Sequence, residues 1–175
     1  MRYLAALALL LGPTGAAADV IHASANGFEV RETVSLVVPT ERAYDAFLKI
    51  DGWWDPEHTY SKDSANLSLA LVPGGCFCER IPKTGGAIEH LRIAYVEPGK
   101  RLVLTGALGP LLYEATTGVM DVEITRIAGG SQLSLDYKVA GFANGGADKL
   151  AAAVDAVLAN QMRRYRAFVT SRPRT

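Results

Sequence analysis

Cys76 and Cys78 stand one residue apart in the stretch GGCFCER, and they are the only cysteines in the chain. Two thiolates at this spacing can join an imidazole around zinc or copper(I). They can also bridge to each other, or sit as small apolar side chains on one face of a strand. A three-residue turn at 83–85, with Gly85 in the left-handed position, sets Ile81 opposite Ala87, Cys78 opposite His90 and Cys76 opposite Arg92. Opposed residues share a face, so this register gathers Cys76, Cys78 and His90 into a candidate ligand set. Three features count against a metal. Arg80 and Arg92 share the His90 face and oppose a cation, Phe77, Leu91 and Ile93 alternate with the cysteines, and no fourth ligand is close in sequence. Two residues along a strand span about 6.6 Å, long for a disulfide and with parallel side chains, although an oxidising compartment favours the bridge. The leading expectation is a pair of unbridged thiols, with the disulfide and the metal as alternatives.

Glu79, Glu89 and Tyr137 offer a second chemistry. A carboxyl in an apolar pocket has a raised pKa and can move protons near neutrality. Glu79 and Tyr137 are therefore the candidate general acid or base, with Glu89 as a further carboxyl; a salt bridge from Glu79 to a neighbouring arginine is the plainer alternative. The chain has no G-x-S-x-G, H-E-x-x-H, C-x-x-C or G-x-G-x-x-G motif and no phosphate loop. No cofactor is implied. Asn66-Leu67-Ser68 matches a glycosylation sequon, but it runs into an expected strand.

The segment that precedes these residues sets their compartment. Met1-Arg2 is a short basic start, Tyr3 to Leu11 is uncharged, Gly12-Pro13 breaks the run, and Ala16-Ala17-Ala18 supplies small residues for cleavage. Residues 1–18 are expected to be a secretory signal peptide cut after Ala18, with Ala23-Ser24-Ala25 as a fallback site. The apolar run is too short to span a bilayer, which takes about 20 residues. No second apolar span follows, so no stable membrane insertion is expected after cleavage, and localisation reads as secreted or periplasmic. Residues 19–175 then form one domain. The chain carries 18 basic and 18 acidic residues, a balance that lacks the basic footprint of a nucleic-acid binder. The late cations Arg163, Arg164, Arg166, Arg172 and Arg174 suit the C-terminal end of a helix dipole. Nothing in the sequence specifies an oligomeric state.

The elements that would position the candidate residues follow from hydrophobic period. Phe28, Val30, Val34, Leu36 and Val38 alternate with Glu29, Arg31, Thr33 and Ser35, which marks a half-buried strand. Pro39-Thr40-Glu41 opens a short helix that ends at Gly52, and an irregular stretch from Trp53 reaches about Asn66. Strands are expected over 67–72, 76–81, 87–97, 101–108, 113–127 and 131–140, separated by Pro-Gly and Gly-Gly turns. After Gly145-Gly146, residues Leu150, Val154, Val157, Leu158, Met162, Tyr165, Phe168 and Val169 recur at helical steps. A long amphipathic helix after antiparallel strands buries its stripe on the hollow face of their sheet. The class is α+β, with about seven strands wrapped around a C-terminal helix.

This order, strand, helix, six strands and long helix, resembles the helix-grip fold of the START-like (SRPBCC) superfamily. Pro39 with TERAYDAFLKI looks like the family's first strand–helix junction, and Trp53-Trp54 like the aromatic pair that follows. PGGCFCER at 73–80 is similar to its Gly-Gly-x-Phe strand. VEPGKRLVLTGALGPL at 96–111 is similar to the hairpin of the polyketide-cyclase and chaperone-ATPase-activator-homologue branch. The resemblance spans residues 28–170. It implies a cavity between sheet and helix, and strand alternation nominates the lining. Phe77, Glu79, Leu91, Ile93 and Tyr95 come from one hairpin, and Leu104, Met120, Val122 and Tyr137 from the next strands. Leu158 comes from the helix, with Trp53 or Trp54 and the 108–112 loop at the mouth. A small hydrophobic molecule is the expected partner. A polyketide-cyclase-type enzyme using Glu79 or a tyrosine is one alternative, and an interaction module with a filled core is another.

Overall fold

The alternation of residues 28–38 becomes strand β2 (Gly27–Leu36), in which every even-numbered side chain from Phe28 to Leu36 is buried, Glu32 included. The computed structural model describes residues 17–171. Residues 1–16, most of the expected signal peptide, and the late cations Arg172 and Arg174 lie outside the described residues. Ahead of β2 the structure adds a strand absent from the sequence reading, β1 (Ala17–Ser24), paired antiparallel with it. Its register shifts at Ile21, between Val20 and His22. That bulge breaks the period of two by which a strand would have been seen.

After β2 come α1 (Thr40–Phe47), β3 (Leu67–Leu69), β4 (Cys76–Ile81), β5 (Gly86–Glu97), β6 (Arg101–Gly106), β7 (Thr116–Ile127), β8 (Gly130–Gly141) and α2 (Asp148–Ser171). The fold is α+β as expected, but among the described residues the sheet holds eight strands, in the order β1-β2-β8-β7-β6-β5-β4-β3 with antiparallel pairing throughout. Two strands are shorter than their apolar runs. β3 stops at Leu69 because Ala70–Gly75 folds into a tight turn in which Gly75 lies against the Ala70 carbonyl; a Cβ there would sit 2.0 Å from that oxygen. The run from Tyr113 joins β7 only at Thr116, since Gly109 (φ 57°) and Pro110 start a 3-10 helix over Gly109–Glu114 that Ala115 ends in the left-handed region.

The chain passes from β2 to the opposite edge of the sheet through α1 and residues 48–66, and on this crossing α1 packs against α2, β7 and β8. α2 packs chiefly on β2 and β1. Between them the inner face is filled by side chains: Leu102, Leu104, Met120, Val122, Leu133 and Leu135 are each no more than 5% exposed. Burying one such residue stabilises the fold by about 1.5–3 kcal/mol. Rings extend this core toward the crossing segment, with Phe47 against Trp53, Trp53 against Tyr165 and Trp54, and Trp54 against Phe77.

Candidate functional site

The β4–β5 hairpin decides which chemistry faces inward. Gly85 takes the expected left-handed conformation (φ 71°), but Ile81 pairs with Gly86, so the loop is one residue longer than expected and Cys78 faces Glu89. Across from the Phe77–Cys78 step, β5 holds one extra residue, His90, after which Phe77 pairs with Leu91 and Cys76 regains Arg92. A bulge opposes two residues to one, and here it turns His90 and Leu91 both inward. The candidate metal set is thereby taken apart. His90 leaves the cysteine face, and Cys76 and Cys78 are joined by a disulfide, their Cα atoms 5.3 Å apart rather than at the full strand spacing. Glu89 stays outside and pairs with Arg92. A second register shift, between Ile93 and Tyr95, sends Tyr95 to the outer face, 47% exposed. The expected inward alternation of β5 therefore ends at Ile93.

On the inner face, Glu79 is fully buried. It accepts hydrogen bonds from the backbone N–H of Tyr60 (3.1 Å) and of Ser61 (2.5 Å), and lies 3.1 Å from Nε2 of His90. Burial pushes its carboxyl up, but the hydrogen bonds from Ser61, Tyr60 and His90 outweigh burial and hold it below the usual carboxylate value. The expected raised pKa is thus reversed, and the partners are backbone amides and a histidine, not an arginine. Burial also pushes the His90 imidazole down, only partly opposed by Glu79, which favours the neutral ring. An ionised carboxylate can only accept, which puts the proton on Nε2 and leaves Nδ1 as a bare acceptor. Among the described residues Nδ1 has no hydrogen-bond partner.

A second chain of bonds fixes the neighbouring wall. The Asp55 N–H donates to Oε1 of the buried Gln161 (2.8 Å), which orients that amide and leaves its Nε2 to donate to Nδ1 of His58 (2.9 Å). Asn160 Nδ2 donates to Asp55 (2.7 Å), and Arg164 Nε to the Trp53 carbonyl (3.0 Å). Residues 53–58 are thereby tied to α2, as residues 60–61 are tied to β4 by Glu79.

Between this segment, the 3-10 helix at 109–114 and the Leu150–Leu158 side of α2 lies a cleft of about 380 Å³. Leu108, Pro110, Leu111, Leu150, Val154 and Val157 give it apolar walls; Glu57, His58, Tyr60, His90 and Glu114 give it a polar side. Of the residues nominated from sequence, Trp54 and Leu158 line it, and the expected mouth at 108–112 is one of its walls. Trp53, Phe77, Leu91, Ile93, Leu104, Met120 and Val122 instead belong to the filled core beneath, and Glu79 stands behind His90. Tyr137 is also buried away from the cleft. Its hydroxyl donates to the Gly106 carbonyl (3.2 Å) and accepts from the Leu108 N–H (3.0 Å), and burial pushes its pKa to about 12. It props the 108–111 wall. His90 and Tyr60 were missed as lining residues because only a bulge and a loop bring them there. Leu150, Val154 and Val157 were visible in the helical stripe.

A second buried carboxyl lies outside the cleft. Glu32, on β2 beneath α2, is fully buried and neither of its oxygens has a partner among the described residues; Oδ1 of Asp155 on α2 is likewise unpartnered among them. Burial, then Asp155 and Asp19 against the opposing Arg163, push Glu32 up to about 8. Sequence reading passed over it because the strand pattern on either side is apolar.

No family model matches this chain, and no curated protein matches it by sequence. Solved structures do. An uncharacterised protein from Rhizobium leguminosarum is 16% identical with a TM-score of 0.63, over 91% of this chain and 100% of that one. DynU16, a protein in the dynemicin biosynthetic locus, is 16% identical with a TM-score of 0.57, over 82% of this chain and 47% of that one. CalU16 from Micromonospora echinospora is 13% identical with a TM-score of 0.55, over 89% and 85%. At such identities the likeness is one of architecture: the chain has an α+β helix-grip fold, a curved open antiparallel sheet holding a long C-terminal helix.

Proposed function

We propose that the protein binds one small apolar molecule in the cleft between residues 54–60, the 108–114 segment and α2. The observation that carries this reading is the cleft itself: about 380 Å³ of space with apolar walls and a few convergent polar groups, above a core of buried apolar side chains. That size and lining suit a small ligand. Nile red, a neutral apolar dye, should bind at about one per chain, and Val157→Trp, which places an indole in the cleft, should abolish binding without lowering the melting temperature. A parent protein that leaves the dye unbound would sink this reading.

A cyclase-type enzyme is the second reading, favoured by the Glu79–His90 pair beside the cleft. On this reading His90 rather than Glu79 or Tyr137 would exchange the proton, because Glu79 is already ionised and hydrogen-bonded and Tyr137 lies away from the cleft. An interaction module needs only a filled core, and the apolar cleft at its rim has no part in that reading.

Export accompanies the first reading. The leader-like residues 1–18 support it, as does the Cys76–Cys78 disulfide, since such bonds persist in oxidising compartments. Cleavage after Ala18 would keep Asp19–Ser24 of β1 on the sheet, whereas the fallback site would remove the strand that pairs with β2 and packs on α2. The intact mass of exported protein decides between the two sites.

A further inference from the structure

We propose that the cleft selects neutral apolar molecules carrying a hydroxyl group, such as alkylated phenols, over the corresponding carboxylates. This rests on the binding reading above and names its ligand class. The argument runs through two histidines whose protons are fixed by their partners. His58 accepts the Gln161 amide proton on Nδ1, so its ring proton sits on Nε2 and offers a donor. His90 gives its Nε2 proton to Glu79, so its Nδ1 offers an acceptor. Both rings line one cleft. A hydroxyl can accept as His58 requires or donate as His90 requires, whereas a carboxylate can only accept and would meet the bare lone pair of His90.

Charge points the same way. Among the described residues that line the cleft there is no lysine or arginine, while Glu57 and Glu114 are both present and the Glu79 carboxylate stands directly behind His90. An anion entering this site loses water and meets no cation in that lining, and Lys62 nearby is paired with Glu57 (3.6 Å). The Nδ1 atom of His90 is shielded from water and unbonded in the structure. Because that atom is buried, a ligand hydroxyl reaches it only when a neighbouring side chain gives way; once there, it gains a bond without displacing one to solvent.

Calorimetric titration with butylbenzene, para-butylphenol and para-butylbenzoate near neutral pH tests this directly. The phenol is expected to bind about 3- to 10-fold tighter than the hydrocarbon, as one net hydrogen bond provides, and the benzoate weakest of the three. In His90→Phe, the phenol-to-hydrocarbon ratio should fall to about one. If that variant does not fold, nitrogen NMR of the parent protein supplies the answer: His90 should be protonated on Nε2, and its Nδ1 signal should move with the phenol and stay with butylbenzene. Equal binding of all three probes overturns the selectivity and leaves the binding reading standing. The same holds if the benzoate binds tightest. No binding by any probe overturns both.

Discussion

Glu32 and Glu79 are the same residue, each fully buried on the inner face of one sheet, yet their carboxyls are driven in opposite directions. Burial pushes both up. At Glu79 two backbone N–H groups and a histidine more than compensate, while Glu32 has no donor among the described residues and faces the acidic Asp155. Donors, not depth, decide the charge of a buried carboxyl. The consequence for function is positional. Glu79 uses its negative charge to hold residues 60–61 and the His90 proton, and so shapes one side of the cleft; Glu32 lies under α2 and adds nothing to that site.

The largest effect should come from removing the satisfied carboxylate. Glu79→Leu leaves two backbone donors and the His90 Nε2–H unpaired in the interior, and should cost about 3–5 kcal/mol in urea unfolding. A loss under about 1 kcal/mol would mean that residues 60–61 hold their place without it. Glu32→Leu should do the reverse and stabilise the neutral-pH protein by about 1–4 kcal/mol, as apolar replacement of a buried ionisable group can. The sign follows from linkage. The folded-state pKa of Glu32 is raised from 4.5 to about 8, so the folded protein keeps a proton that the unfolded chain releases, and stability falls as pH rises across that window. The advantage of Glu32→Leu should therefore grow from pH 4.5 and level off above about 8. Glu79, held low, contributes stability above its unfolded value and loses it as the solution is acidified through the folded one.

Smaller effects separate core from cleft. Met120→Trp should overpack the filled sheet interior and cost about 1–3 kcal/mol, while Nile red still binds. Val157→Trp should change stability by no more than about 0.5 kcal/mol, the usual range for changes outside the core, and should remove dye binding. If the two variants exchange behaviours, the space lies under the sheet rather than at its rim.

Much of this architecture was legible because it rests on period. The alternation of β2, the Gly- and Pro-punctuated strands and the long stripe of α2 each report which face is buried, and buried faces define the sheet and its helix. The site was less legible because it depends on departures from period. The extra residue at His90 moves an imidazole from the disulfide face to the cleft, and the shift after Ile93 moves Tyr95 the other way. The β1 strand was hidden by its own bulge. Glu32 sits at an inward position of β2 with the right parity and the wrong chemistry, so a hydrophobic pattern steps across it. Tyr60 reaches the cleft on an irregular segment whose path is set by Glu79 and Gln161, both distant in sequence.

Backbone-amide NMR during a para-butylphenol titration tests the central claim most directly, because it locates the ligand without altering the protein. The largest shifts should cluster in residues 54–60, 108–114 and 150–158, with His90 among them, and should saturate at about one ligand per chain. Shifts concentrated instead at Leu104, Met120 and Val122, or around the Cys76–Cys78 disulfide on the outer face, would place the ligand elsewhere and contradict the account.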